Sequence, residues 1–285
     1  MVHKFNSYKN AIYGAVLFFF LITSIIATAN ENNLRIAGST TVLPIVSRAA
    51  EKFKIKHPNI SISVNAGGSG VGFSSMADRR IDIGMMSRKI SENERKKYKG
   101  QEFIIYTLGR DGVACAISSE IFSDGITALS KEQIRDIYSG KIKNWKTLGG
   151  PDKKIVVVDK ERHRGTRHAF MKYIFGNPTA RARGARLVSG SNNEEQSKIA
   201  QSNSAIGMLS QAWINKNVAS VALVHEGMQI KPSIQNIKSG AYPISRDLDI
   251  VTQKNISIVA RQFIEFLLGP EVRPLIEKSG YVPIR

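Results

Sequence analysis

Positions 159 to 167 read Asp159-Lys160-Glu161-Arg162-His163-Arg164-Gly165-Thr166-Arg167 and run on into Ala169, Phe170 and Met171, so a cationic turn and a Gly-Thr step sit directly before an amphipathic helix. These residue types suit an anion. Free backbone N–H groups and the positive end of a helix dipole favour negative oxygens at such a place. Two earlier segments have the same grammar of strand, hydroxyl-rich turn and helix: Gly38-Ser39-Thr40-Thr41 and Gly67-Gly68-Ser69-Gly70. A hydroxyl can both donate to an oxygen and accept from a protonated ligand. Taken singly, each segment reads as an ordinary helix cap or tight turn; three together point to a small oxyanion held by protein groups. No Gly-Lys-Ser/Thr follows a glycine run, which excludes a nucleotide P-loop.

The elements that must position these turns are legible from periodicity. A strand over 34–37 precedes a helix over 42–56 whose apolar face is Val42, Ile45, Val46, Ala49, Ala50 and Phe53. An alternating strand over 60–64, a short helix over 70–79 and a strand over 81–85 follow, an order that implies right-handed crossovers and a parallel sheet. A strand over 103–108 leads through Gly109-Arg110-Asp111-Gly112 into an apolar run around Cys115, where the chain is expected to cross to a second lobe. Ser130 and Gln133 read as a capping box for a helix over 131–139. Residues 140–150 form a loop carrying Trp145. Strands are expected over 154–158 and 205–209, and helices over 166–175, 193–202, 256–268 and 270–279.

The 285 residues suffice for two ordinary domains. Lys4 and Lys9 precede an apolar run over 11–27 that ends in Ala27-Thr28-Ala29, which reads as a secretory signal cleaved after Ala29. A retained membrane anchor is the alternative reading, since the run approaches a spanning length. No cysteine follows the run, so a lipoprotein anchor is not expected. The single cysteine, Cys115, precludes an intramolecular disulfide and reads as a buried, inert thiol. Forty-one basic against 23 acidic residues give a net charge of +18. That excess is dispersed, without the aromatic platform or groove helix of a nucleic-acid binder, so nucleic acid is not an expected partner.

The motifs Gly38-Ser39-Thr40-Thr41-Val42-Leu43-Pro44-Ile45, Gly68-Ser69-Gly70-Val71-Gly72, Asp82-Ile83-Gly84-Met85-Met86-Ser87-Arg88, Gly165-Thr166-Arg167 with Phe170, and Ser239-Gly240-Ala241-Tyr242-Pro243-Ile244-Ser245-Arg246 occur in this order. In that order they resemble the substrate-binding subunits of high-affinity phosphate ABC transporters, within the two-lobed periplasmic binding protein superfamily. The resemblance implies an α/β, type II periplasmic binding protein fold with a ligand cleft between lobes. Residues 30–110 and 247–285 would form a discontinuous first lobe, and residues 111–246 an inserted second one.

It further implies a periplasmic, monomeric protein that catalyses no reaction, needs no cofactor, binds inorganic phosphate or a similar oxyanion, and delivers it to an inner-membrane ABC permease. Carried over residue by residue, the family's ligand contacts fall on Ser39, Thr40, Thr41, Ser69, Gly70, Ser87, Arg88, Lys160, Arg164, Gly165 and Thr166. The sequence departs from the family at three of these. The usual Arg-x-x-x-Ser-Gly-Thr becomes a segment that starts at Lys160 and has Arg164 before Gly165-Thr166, so the guanidinium moves four residues on. Ser87 stands where many members carry an aspartate that accepts the proton of hydrogen phosphate, which leaves sulfate open as the ligand. Arg88 reads equally as a ligand or as a packing arginine.

Other chemistry is poorly served. His163 and His168 lack the carboxylate or cysteine partners of a metal set, and Ser69 lacks a nucleophile-elbow context. Rival readings are a binding protein for another oxyanion such as sulfate, a secreted basic protein that binds polyanions or envelope surfaces, and an exported phosphatase.

Overall fold

The computed structural model describes residues 32–284; the expected signal segment lies outside them. Strand Asn33–Gly38 alternates outward and buried residues, with Leu34 and Ile36 inside, and is flanked by the parallel strands Ser61–Ala66 and Ile83–Met86. The helix Leu43–Lys56 joins the first two. Pro44 sits in its first turn, where the missing N–H costs nothing, and Lys54 and Lys56 lie at the carbonyl end of its dipole. Ile45, Val46, Ala49, Ala50 and Phe53 face inward, and each large apolar side chain so buried contributes about 1.5–3 kcal/mol. The next helix, Ser69–Ala77, lies close against the sheet because position 72 is glycine: a Cβ there would stand 2.8 Å from the Ala37 carbonyl oxygen.

The crossing between lobes differs from the sequence expectation. Residues 103–118 form one uninterrupted strand, Phe103–Ser118, rather than a strand, a glycine passage and a second run. Gly109 and Gly112 suggest a break, yet neither makes a turn. A Cβ at Gly109 would lie 2.8 Å from the Val282 oxygen, and one at Gly112 would lie 2.7 Å from Ile237 Cδ1, so both glycines admit close neighbours. The first part of this strand pairs antiparallel with Ser245–Gln253, from Phe103 opposite Gln253 to Gly112 opposite Ser245. Beyond it, residues 113–117 pair with Ala205–Ser210. The chain thus leaves the first lobe along one strand and returns along its neighbour, with a register shift between Leu248 and Asp249.

The two largest apolar clusters among the described residues are separate. One gathers Leu34, Ile36, Phe53, Leu248, Ile250 and Phe263; the other gathers Val113, Cys115, Ile117, Tyr138, Trp145 and Phe170. Alternation along the long strand turns Ala116 to the opposite face, against Val158, Ile199 and Leu209. Burial pushes the Cys115 thiol far up, so it is an inert core group. Trp145 opens a short 3-10 turn, Trp145–Leu148, in the expected loop, and its indole N–H donates to the Ser204 oxygen at 3.0 Å. Helix Lys131–Ser139 starts at a complete capping box of Ser130 and Gln133. Strands Val156–Lys160 and Ala185–Ser189 each lead into a helix, Gly165–Phe175 and Asn192–Ala200, whose first turns meet the first lobe.

Candidate anion-binding site

The two lobes enclose a small pocket. The first lobe supplies Ser39, Thr40 and Thr41, with Gly68 and Ser87 beside them; the second supplies Lys160, Arg164, Gly165 and Thr166, with residues 190–192 closing one side. The cavity is small, with about 200 Å³ of empty space including the part open to solvent.

Four chain segments meet there at or just before helix starts: 39–41, residue 68, 164–166 and 190–192. Helix Gly165–Phe175 has no side-chain cap, and its leading N–H groups precede the first residue able to find a carbonyl four positions back. A side chain at Gly165 would collide with Ser87 Oγ and come within 2.5 Å of Ser69 Oγ, so glycine is what lets this helix end reach the first lobe. Two further contacts join the same turns: the Gly70 N–H donates to the His163 oxygen at 3.1 Å, and His163 Nε2 lies 3.1 Å from the Gly67 oxygen.

Each cation at the pocket carries its own carboxylate. Lys160, 2% exposed, pairs with the fully buried Glu195 and donates to the Ser191 oxygen at 3.1 Å. Arg164 donates from Nε to Glu161 Oε2 at 2.8 Å. Arg246 donates from Nη2 and Nε to Asp111 Oδ2 at 2.7 and 3.0 Å, while Ser210 Oγ donates to Asp111 Oδ1 at 2.9 Å. The same guanidinium reaches Ser87 Oγ at 3.2 Å and Thr41 Oγ1 at 3.1 Å. Burial raises the carboxyls of Asp111 and Glu195 and lowers the Lys160 ammonium, and in each case the opposite charge acts against that shift. The floor is therefore a set of neutralised pairs that orient hydroxyls and amides toward the pocket.

A model of the PBP superfamily domain matches residues 25–271. The phosphate-binding protein PstS of Bacillus subtilis is 31% identical over 255 residues, which is 89% of this chain and 81% of that protein. A crystal structure of a phosphate ABC transporter substrate-binding protein from Clostridium perfringens, with bound phosphate, superposes with a TM-score of 0.80 at 30% identity and covers 89% of this chain and all of that one. An ABC-type phosphate transport receptor from Vibrio cholerae gives 0.71 at 30% identity, over 88% of this chain and all of that one. The chain belongs to the PstS family of the PBP superfamily. Its two-lobed α/β fold is the family's.

Among the residues that resemblance singled out, Ser39, Thr40, Thr41, Ser87, Lys160, Arg164, Gly165 and Thr166 line the pocket. Three stand back from its lining. Ser69 Oγ accepts the Ser87 N–H at 3.0 Å, and the Gly70 N–H is taken by His163. Arg88 donates to both oxygens of Glu94, at 2.8 and 2.7 Å, and to the Lys89 oxygen. The Thr41 N–H donates to Ser39 Oγ at 3.2 Å. Arg167, the last cation of the opening motif, is fully engaged with Asp159 and the Ala180 oxygen. Sequence reasoning missed Arg246, Asp111, Asn192 and Glu195. Arg246 ends a motif already quoted and Asp111 lies in the crossing segment, but nothing local marks either as facing Thr41 and Ser87.

Proposed function

We propose that this protein is an exported solute-binding protein that captures phosphate in the cleft between its lobes and passes it to an inner-membrane ABC permease, acting as a monomer and catalysing no reaction. In this reading the signal is cleaved after Ala29, residues 30–110 and 247–285 form one lobe, and residues 111–246 form the other. The observation that carries it is the pocket itself: a small space between hydroxyls and helix N-termini, with every neighbouring cation already paired to a carboxylate. Such a pocket holds an anion by local dipoles and charge-assisted hydrogen bonds. Thr40, Thr41, Thr166 and the Gly165 and Thr166 amides supply the donors, and Lys160 and Arg164 the adjacent charge. Ser39, Ser69, Ser87 and Arg246 orient that set; Gly70 and Arg88 hold the turns behind it. Shielding from water strengthens each contact.

Names of relatives add weight: the similar proteins from Bacillus subtilis, Clostridium perfringens and Vibrio cholerae are all described by phosphate. Thermal melting of the mature protein against phosphate, arsenate, sulfate and heparin tests the reading. Millimolar phosphate raises the melting temperature by about 5–10 °C through mass action on the folded state. A shift with heparin alone, abolished by salt, would replace the reading with polyanion binding.

A further inference from the structure

We infer that Asn192, through its side-chain oxygen, is the acceptor for the proton of a protonated tetrahedral anion and so the residue that separates phosphate from sulfate. This deepens the phosphate reading and rests on it. Asn192 lines the pocket, is 1% exposed, and donates from Nδ2 to Thr41 Oγ1 at 3.1 Å. Its Oδ1 is buried and has no hydrogen-bond partner within the protein. A buried acceptor left unpaired bears its full desolvation cost, which a donor on the ligand would recover.

The other oxygens at the pocket are engaged or indifferent. Ser87 Oγ receives Ser39 Oγ at 2.8 Å and Arg246 Nη1 at 3.2 Å and has Ser69 Oγ 3.4 Å away, so it has no lone pair left for a ligand proton. Thr41 Oγ1 receives Arg246 and Asn192 in the same way. Ser39 Oγ accepts the Thr41 N–H, and Ser191 Oγ accepts the Glu194 N–H. Thr40 and Thr166 hydroxyls turn either way and serve sulfate as well as phosphate. An amide oxygen cannot donate. Hydrogen phosphate and arsenate offer it a proton, whereas sulfate at neutral pH offers only a lone pair.

The test is calorimetric titration of wild type, Asn192→Ala and Asn192→Asp with phosphate, arsenate and sulfate at pH 7, with folding of each variant checked by circular dichroism. Asn192→Ala lowers the phosphate-to-sulfate and arsenate-to-sulfate affinity ratios by about tenfold to a hundredfold. Asn192→Asp, which keeps an acceptor of the same size, retains a ratio at or above wild type even where its added charge weakens every anion. If wild type binds phosphate and both variants leave the ratios within about twofold, a change worth only some 0.4 kcal/mol, the inference is overturned and the phosphate reading stands. If wild type binds neither phosphate nor arsenate, both fall together.

Discussion

Arg246 and Asp111 face each other in register across the two strands that carry the chain between its lobes, and both are buried, with guanidinium and carboxylate 2.7 Å apart. The same guanidinium holds Ser87 and Thr41, so one side chain ties the crossing to the pocket floor. Arg246→Ala leaves the Asp111 carboxylate buried and unpaired. We expect a loss of about 3–5 kcal/mol in urea unfolding. Arg246→Ala with Asp111→Ala should lose less than the sum of the single changes, the signature of a coupled pair.

Arg164 and Arg88 make a paired prediction. Arg164 lines the pocket and Arg88 is held by Glu94 behind it. Arg164→Ala should weaken phosphate by about 1.5–3 kcal/mol, the range for a hydrogen bond to a charged group. Arg88→Ala should destabilise the fold and leave phosphate affinity within about threefold, because its guanidinium lies outside the reach of a direct contact. Equal losses of affinity from the two changes would contradict this assignment.

How much of this was legible in the sequence depends on the range of the interaction. The helix Leu43–Lys56 and the capped helix Lys131–Ser139 follow from local spacing and a local cap. The pocket turns at 39–41 and 165–166 were marked by residue type alone. Ser87, Arg246, Asp111 and Thr41 meet through a strand pairing that joins residues 135 positions apart, and no local pattern encodes that. Glycine misled where it usually helps: Gly109 and Gly112 read as a break and instead let Val282 and Ile237 approach an unbroken strand. Among the cations of the 160–167 segment, side-chain type could not tell Arg164, at the pocket, from Arg167, buried against Asp159.

Lys160, buried beside Glu195, depends on that carboxylate for its charge. Glu195→Gln should cost about 3–5 kcal/mol in the ligand-free protein, the consequence of leaving one member of a buried ion pair alone. Added phosphate then supplies the missing negative charge near Lys160, so its stabilisation of the variant, read as the shift in melting temperature, should exceed that of wild type. An equal shift in both proteins would show that Lys160 does not sense the ligand.

Asp249 gives the pH dependence a defined sign. Burial is the main cause that raises its carboxyl from the ordinary 3.8 to about 6, against the hydrogen bond that Thr107 donates at 2.8 Å. The folded state therefore holds this proton more tightly than the unfolded chain. Its stabilising contribution is present below about pH 4 and is lost as pH rises through about 6. Asp249→Asn should remove that loss, so that the variant gains on wild type by about 2–3 kcal/mol between pH 4 and pH 7 in urea unfolding. A difference that stays constant across this window would contradict the shift.

On the proposed function, the pocket between the lobes takes one small tetrahedral anion. Isothermal titration of the mature protein with inorganic phosphate at pH 7 and physiological salt measures it directly. A single saturable site per chain is expected, little affected by raising the salt and lost when Gly165→Ala blocks the approach of the helix end to Ser87. No heat of binding in wild type, or binding unchanged in the Gly165→Ala protein, would contradict it.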